Sequence, residues 1–493
     1  MKSTVPPLRQ KGWRFHMLLF AAACLLLAAT RLPVAPKHLF YFDSINFALA
    51  LDEFNPALHQ PQPPGYPLFV GLTRIIRLFL EPVEAVMLAA GILGGAAAAV
   101  LVWKLAARMF GNSAAWLAAL LFLFNPVFWV GGVTNQVRVF LAVVSTAVAL
   151  LAWRAWSEPS SNSRPWFCAA AFTLGLLSGF RPASLLLLAP LLIAAGLRGR
   201  RTHSEFALAG LLVLAGVLPW MLVTVLSTGG VRAYAELVTG YLHVQSRDSS
   251  LVFGAETHSA RRMFLMAVIW NGLGALAWIW ALPLVWRSLQ WKLQHSQALF
   301  LGIWFLPPFL FHALIHVGDP DQVLITIPIV CLAGAYVLSR LPGWRLALAA
   351  LLAVALSTFL FFRPFRGIAS AASYTYVRDT ARQIEAVFSR IEAARPGRPI
   401  LITSADLFVT WRHVSYYFPD LPLYVLHDSG EVWLLLNRKT QSVPRAGADI
   451  LAPHGRRLLW LLSPRYDRPG LPSFGHSGDA ITIGPHRLRF AAE

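Results

Sequence analysis

Residues 83–105 read VEAVMLAAGILGGAAAAVLVWKL, and between Glu84 and Lys104 the stretch holds no charged side chain. As a helix rising 1.5 Å per residue, such a run spans a hydrocarbon core of about 30 Å, which needs about 20 apolar residues. Working outward, similar runs recur roughly eleven times between Phe15 and Phe362. They fall at approximately 15–32, 83–105, 113–131, 135–156, 166–180, 181–197, 206–228, 261–286, 297–316, 321–339 and 344–362. Hydrophobic residues make up 57% of the 493 and charged residues 13%, about half the charge of an ordinary soluble domain. The chain reads as an all-α polytopic membrane bundle, residues 1–362. A more polar tail, 363–493, reads as a small α/β domain.

The formal charge of +19 is scattered over loops rather than gathered in one block. That argues against nucleic acid as a partner and fits the bias of Lys and Arg toward cytoplasmic loops. Cys24, Cys168 and Cys331 all lie in apolar runs and read as small core residues, not a disulfide framework or metal site. Lys2, Arg9, Lys11 and Arg14 precede the first run, and no clear cleavage site follows. The first run therefore reads as a retained anchor with the N-terminus in the cytoplasm.

That choice places Lys104, Arg108, Arg154, Arg164, the cluster Arg198, Arg200, Arg201 and His203, then Arg287, Lys292, Arg340 and Arg345 on the cytoplasmic side. It does so on two conditions. Residues 63–80, which carry Arg74 and Arg77, must not cross. Residues 166–197 must make two short crossings that meet near Phe180-Arg181-Pro182, where proline removes a donor and clashes with the preceding turn. The first outer loop is then 33–82, and the tail is extracytoplasmic. Arg261 and Arg262 would stand at the outer face, against the rule.

The first outer loop carries the most chemistry. Phe42, Ile45, Ala48 and Leu49 give an amphipathic helix lying on the membrane surface, with Asp43 at its N-terminus, where it can cap the helix, serve as a base, or both. Next comes His59-Gln60-Pro61-Gln62-Pro63-Pro64-Gly65-Tyr66-Pro67, whose prolines make a stiff, non-helical strap. Such a strap holds a loop against a site, or simply leads into the next helix.

An Asp just after the first span, a surface helix and then this H-x-P-x-P-P-G-Y-type segment resemble the polytopic GT-C glycosyltransferases, above all the protein O-mannosyltransferase-like group and its bacterial relatives. Further echoes are Gly175-Leu176-Leu177-Ser178-Gly179-Phe180-Arg181-Pro182 and His316-Val317-Gly318-Asp319-Pro320. The resemblance covers roughly residues 15–340. It implies a multi-pass protein of the cell (inner) membrane of a bacterium, which moves a hexosyl or pentosyl group, usually with inversion, from a polyprenyl-phosphate-sugar donor to a protein, lipid or glycan acceptor at the outer leaflet. It implies that Asp43 is the general base. Many members carry Asp-Glu at this point, whereas this chain has Asp43-Ser44, leaving Asp52 or Glu53 to supply any second acid.

The chemistry asks for few groups. A carboxylate assists deprotonation of the acceptor alcohol, and cations stabilise the departing lipid phosphate. His59, Gln60 and Tyr66 are candidates for the acceptor side. Arg181, Arg138 and His316 are candidates for the donor phosphate, since ionisable groups at span ends are costly unless they work, with snorkelling the alternative for Arg138. No cofactor is expected. A divalent metal at His312, His316, Asp319 and Asp321 is the alternative, although no established ligand spacing surrounds them. Tyr234, Tyr241, His243, Gln245, Arg247, Asp248 and His258 in the 229–260 loop suit a sugar or an interfacial belt.

In the tail, 379–393 reads as a helix with Ile384, Val387, Phe388 and Ile391 on one face. Residues 399–403, 423–426 and 458–462 read as strands, with Trp411–Tyr417 between the first two. The tail reads as an acceptor-binding element, a cover or a structural cap. A transporter or flippase of lipid-linked sugars, and a non-enzymatic envelope scaffold, are the rival functions. The transporter reading asks for charge at mid-span, and here charge gathers at span ends.

Overall fold

The computed structural model describes residues 12–250, 260–285, 295–363, 365–404, 411–426, 432–443, 458–462, 480–483 and 486–492. Lys2, Arg9, Lys11, His258, Arg287 and Lys292 lie outside the described residues. The chain divides into two compact units. One joins Met1–Ala35 to Ala50–Thr375, and the other joins Pro36–Leu49 to Tyr376–Glu493.

In the first unit the apolar runs are helices: Trp13–Arg31, Val83–Phe110, Asn112–Leu123 with Pro126–Thr134, Val139–Ser157, Ser160–Leu177, Ser184–Arg198, His203–Thr228, Ala260–Leu276, His295–Leu314, Ile327–Leu338 and Trp344–Phe362. Among the described residues six helices are long and apolar enough to cross a membrane, or up to eight if each of two bent pairs is one span. Ser184–Arg198 and Ile327–Leu338 are shorter apolar helices. Eleven crossings are therefore not established. The first bend has a local cause. Pro126 cannot donate a helical bond, and the Asn125 side chain accepts instead from the amides of Val127 and Phe128 at 3.0 and 3.2 Å. The two halves meet there at 51°. Residues 67–80 do not form a span: the helix Pro67–Arg77 is 11 residues long.

Glycine sets the closest approach in the bundle. A Cβ at Gly175 would run into the Val213 carbonyl, and one at Gly216 would lie 2.5 Å from the Leu176 nitrogen. Small residues let backbones approach in this way. The Trp220 indole nitrogen completes the contact by donating to the Gly175 carbonyl at 2.9 Å. The 229–260 loop is mostly the helix Val231–Ser249.

Among the described residues the second unit is built on a seven-stranded mixed sheet. Its strands are β1 (Ile400–Ser404), β2 (Leu423–Leu426), β3 (Val432–Leu436), β4 (Lys439–Val443), β5 (Leu458–Leu462), β6 (Ala480–Ile483) and β7 (His486–Ala492). Their spatial order is β4-β3-β2-β1-β5-β7-β6. β1 runs parallel to β2 and β5, with Leu401 opposite Leu423 and Leu459, and the outer pairs are antiparallel. All five residues of β1 are buried, as a central parallel strand requires. The helix Tyr374–Ala394 buries Ile384, Val387, Phe388 and Ile391, and these pack with Leu401, Val414, Leu423 and Val425.

Candidate active site

Within the first unit the strap is folded on itself. The Asn55 amide donates to the Gln60 carbonyl at 2.6 Å, and the Gln60 amide donates back to the Asn55 carbonyl at 3.0 Å. His59 takes the left-handed conformation (φ 54°) and meets the Tyr241 ring edge-on at 6.4 Å. Tyr66, also left-handed (φ 91°), is buried and precedes Pro67 at the helix start. Non-glycine residues avoid this region unless their surroundings hold them there, and the surroundings do so here. The Tyr234 hydroxyl donates to the Pro64 carbonyl at 2.9 Å, and Gly65 packs so closely that a Cβ would meet the Thr224 methyl at 2.8 Å. His59, Gln60 and Tyr66 thus ride on one strap pinned to the helices His203–Thr228 and Val231–Ser249.

A ladder of rings joins the strap to the candidate phosphate side. Phe69, on the Pro67–Arg77 helix, meets Phe140 at 5.6 Å, and Phe140 stacks on Phe180 at 4.4 Å. Arg181 follows in an extended conformation (φ −156°, ψ 103°), as expected of a residue ahead of proline. Its Nη1 is buried and has no hydrogen-bond partner among the described residues. The glycines of Gly175-Leu176-Leu177-Ser178-Gly179-Phe180-Arg181-Pro182 explain themselves here. A Cβ at Gly179 would meet Leu68 at 2.7 Å and Trp220 at 2.8 Å, so this junction needs glycine to bring Arg181 against the strap helix.

Two residues before Phe140 stands Arg138, with Nε 3.9 Å from Asp321 Oδ1; both side chains are buried. The neighbouring Gln322 lies 3.4 Å from His316 through its amide nitrogen and accepts from the Gly318 amide at 3.1 Å through its oxygen. The structure therefore brings Arg138 and His316 into one cluster through Asp321 and Gln322. In the sequence reading Asp321 enters only as an alternative metal ligand, and Gln322 not at all. Their signal was available: a polar pair opening a run that otherwise reads as a span. Arg31 is a further missed residue. It ends the first helix, is buried, donates to the Leu123 carbonyl at 2.6 Å and lies 4.3 Å over the Trp129 ring.

Asp43 belongs to the second unit's segment Pro36–Leu49. The helix begins at Phe42, and the Tyr41 carbonyl accepts from the Ile45 amide at 3.3 Å. Asp43 therefore lies in the helix's first turn, at its N-terminal end. There it still benefits from the positive end of the helix dipole. The helix is also not half-exposed, because residues 44–51 are all buried. Small and polar residues such as Ser44, Asn46 and Ala50 fill the face expected to meet solvent. Among the described residues, no group of three or more His, Cys, Asp or Glu that could hold a metal is found.

The structure superposes on that of ArnT from Cupriavidus metallidurans in the apo state with a TM-score of 0.62, covering 97% of this chain and 98% of that one at 15% identity. The chain carries the GT-C glycosyltransferase fold. ArnT bound to undecaprenyl phosphate matches with a TM-score of 0.58 and 18% identity over 98% of each chain. Residues 61–222 match the family model for dolichyl-phosphate-mannose-protein mannosyltransferases. That stretch takes in most of the strap, Tyr66, Arg138 and Arg181. No curated protein matches the sequence.

Proposed function

We propose that this protein is an inverting membrane glycosyltransferase. It moves a sugar from a polyprenyl-phosphate carrier to an acceptor hydroxyl on the outer face of a bacterial inner membrane. The observation that carries this reading is the end-to-end likeness to ArnT, a protein solved with undecaprenyl phosphate. In the proposed reaction the acceptor oxygen attacks the anomeric carbon from the face opposite the phosphate. The bond from that carbon to the phosphate oxygen breaks, and its electron pair leaves with the lipid phosphate. Asp43 takes the hydroxyl proton. One base suffices, because a phosphate leaving group needs little protonation.

Arg181, Arg138 and His316 make up the donor-phosphate side. Arg181 is the member with a donor to spare, its buried Nη1 lacking a protein partner among the described residues, and a guanidinium suits phosphate better than an ammonium. Arg138 is engaged by Asp321 and contributes mainly its field. His59, Gln60 and Tyr66 shape the acceptor side, where the pinned strap offers polar groups in fixed positions. No cofactor is required by this scheme. The cytoplasmic N-terminus and the outer placement of residues 376–493 belong to the same proposal.

The test measures transfer of radiolabel from undecaprenyl-phosphate-linked hexoses and pentoses to acceptors in membranes of the source cells. Asp43→Asn should abolish transfer at wild-type expression. Normal turnover in that variant removes the mechanism.

A further inference from the structure

The stretch Trp411-Arg412-His413-Val414-Ser415-Tyr416-Tyr417 has no part in the reaction proposed above. Within the second unit it forms the short helix Trp411–Tyr417, and its side chains grip residues 39–46 at three heights. The Tyr417 hydroxyl accepts from the Leu39 amide at 2.9 Å. The His413 Nε2 bonds the Phe40 carbonyl at 3.2 Å. The Arg412 Nε donates to the Asn46 side-chain oxygen at 2.9 Å. Trp411 closes edge-on against Phe42 at 5.7 Å. Arg412, His413 and Asn46 are all buried.

Phe42 and Asn46 are four residues apart and share one face of the helix Phe42–Asp52. Asp43, three residues before Asn46, lies on the adjoining flank. Arg412 spans that face, bonded to Asn46 and with its guanidinium carbon 6.0 Å from the centre of the Phe42 ring. A buried polar group that is bonded is costly to release, so this contact fixes both the position and the rotation of the helix's first turns.

We propose that the Trp411–Tyr417 helix is a clamp that orients Asp43, with Arg412 as its principal positioning residue. The second unit is then a working part of the transferase, since it holds the base. The inference rests on Asp43 being that base. A base displaced by about 1 Å from its substrate loses about 100-fold in rate, which sets the expected size of the effect.

Full-length protein in detergent, assayed with the same labelled donors and membrane acceptors, tests the clamp in two independent ways. By hydrogen exchange, Arg412→Gln should speed exchange of amides 39–46 about tenfold while amides of β1 and β2 keep their protection. In the transfer assay it should lower kcat about 100-fold with the donor KM within about twofold, and Arg412→Lys should recover part of that loss. The losses from Arg412→Gln and Asn46→Ala should not add. Unchanged exchange at 39–46, loosening spread over the whole sheet, full kcat in Arg412→Gln, or simple additivity would each overturn the clamp. Asp43→Asn with normal transfer removes the base assignment instead and leaves the exchange result standing.

Discussion

Arg138 and Asp321 show how a buried pair behaves in this chain. Two charges 3.9 Å apart and almost wholly withdrawn from water hold each other in place, and removing one takes from the other its buried counter-charge. Asp321→Ala should cost roughly 3–5 kcal/mol, read as a lower melting temperature in detergent. Arg138→Met combined with Asp321→Leu should recover most of that loss. A single change worth less than about 1 kcal/mol would contradict this account. His413 makes a second case. Burial pulls its ring down to about 4, outweighing the bonds to the backbone at Phe40 and Leu39 that act the other way. The unfolded chain, with an ordinary imidazole near pH 6.5, then binds more protons than the folded one between about pH 4 and 6.5. This contribution to stability is complete above that window and is lost as pH falls through it, by about 3 kcal/mol in all. Thermal melts of the second unit's tryptophan signal from pH 7 to 4 should show that slope, and His413→Asn should flatten it. Residue by residue, the sequence was only partly legible. Arg181 stood out as a cation beside a helix-breaking proline, yet its spare nitrogen is a property of packing and leaves no trace in the string of letters.

Helices were the most readable elements, because a run of apolar residues ending in Arg or Pro leaves few alternatives. The face Ile384, Val387, Phe388, Ile391 is buried as its spacing predicts. The helix Phe42–Asp52 was misread in its surroundings. Spacing reports which side chains align, but only the tertiary structure reports that Ser44, Asn46 and Ala50 are covered as well. Of the four strands beyond the expected three, β3 is apolar throughout and β4 mostly polar, so neither alternates clearly, whereas β6 and β7 do alternate and were legible but passed over. The glycines of the GLLSGFRP junction read as a family echo until Gly175 and Gly216 were seen to let two backbones touch. Gly216→Val should therefore wedge the helices Ser160–Leu177 and His203–Thr228 apart, since overpacking costs about 1–3 kcal/mol or more where backbone must move. The expected outcome is a sharp loss of folded protein by size-exclusion chromatography. Gly210→Val on the same helix, where a Cβ meets nothing within 4 Å, should be tolerated. Equal yields from the two variants would discard the close-contact explanation.

At the scale of the molecule the sidedness proposal makes its own prediction. In a background with Cys24, Cys168 and Cys331 replaced by Ala, single cysteines at Lys37 and Asp420 should react with an impermeant maleimide from outside intact spheroplasts. Cysteines at Lys104 and Arg200 should react only after permeabilisation. The reverse pattern would put the proposed reaction on the wrong side. The partition of the chain adds one more consequence. Pro36–Leu49 is made early in synthesis, yet its partners come last: His413 and Phe40 are separated by 373 positions. Throughout translation of the membrane helices the ribosome thus extends a chain whose candidate base has no holder. With Arg412 holding the base as proposed, a chain cut short before residue 411 should reach the membrane yet transfer no sugar, so that activity would wait on synthesis of the holder.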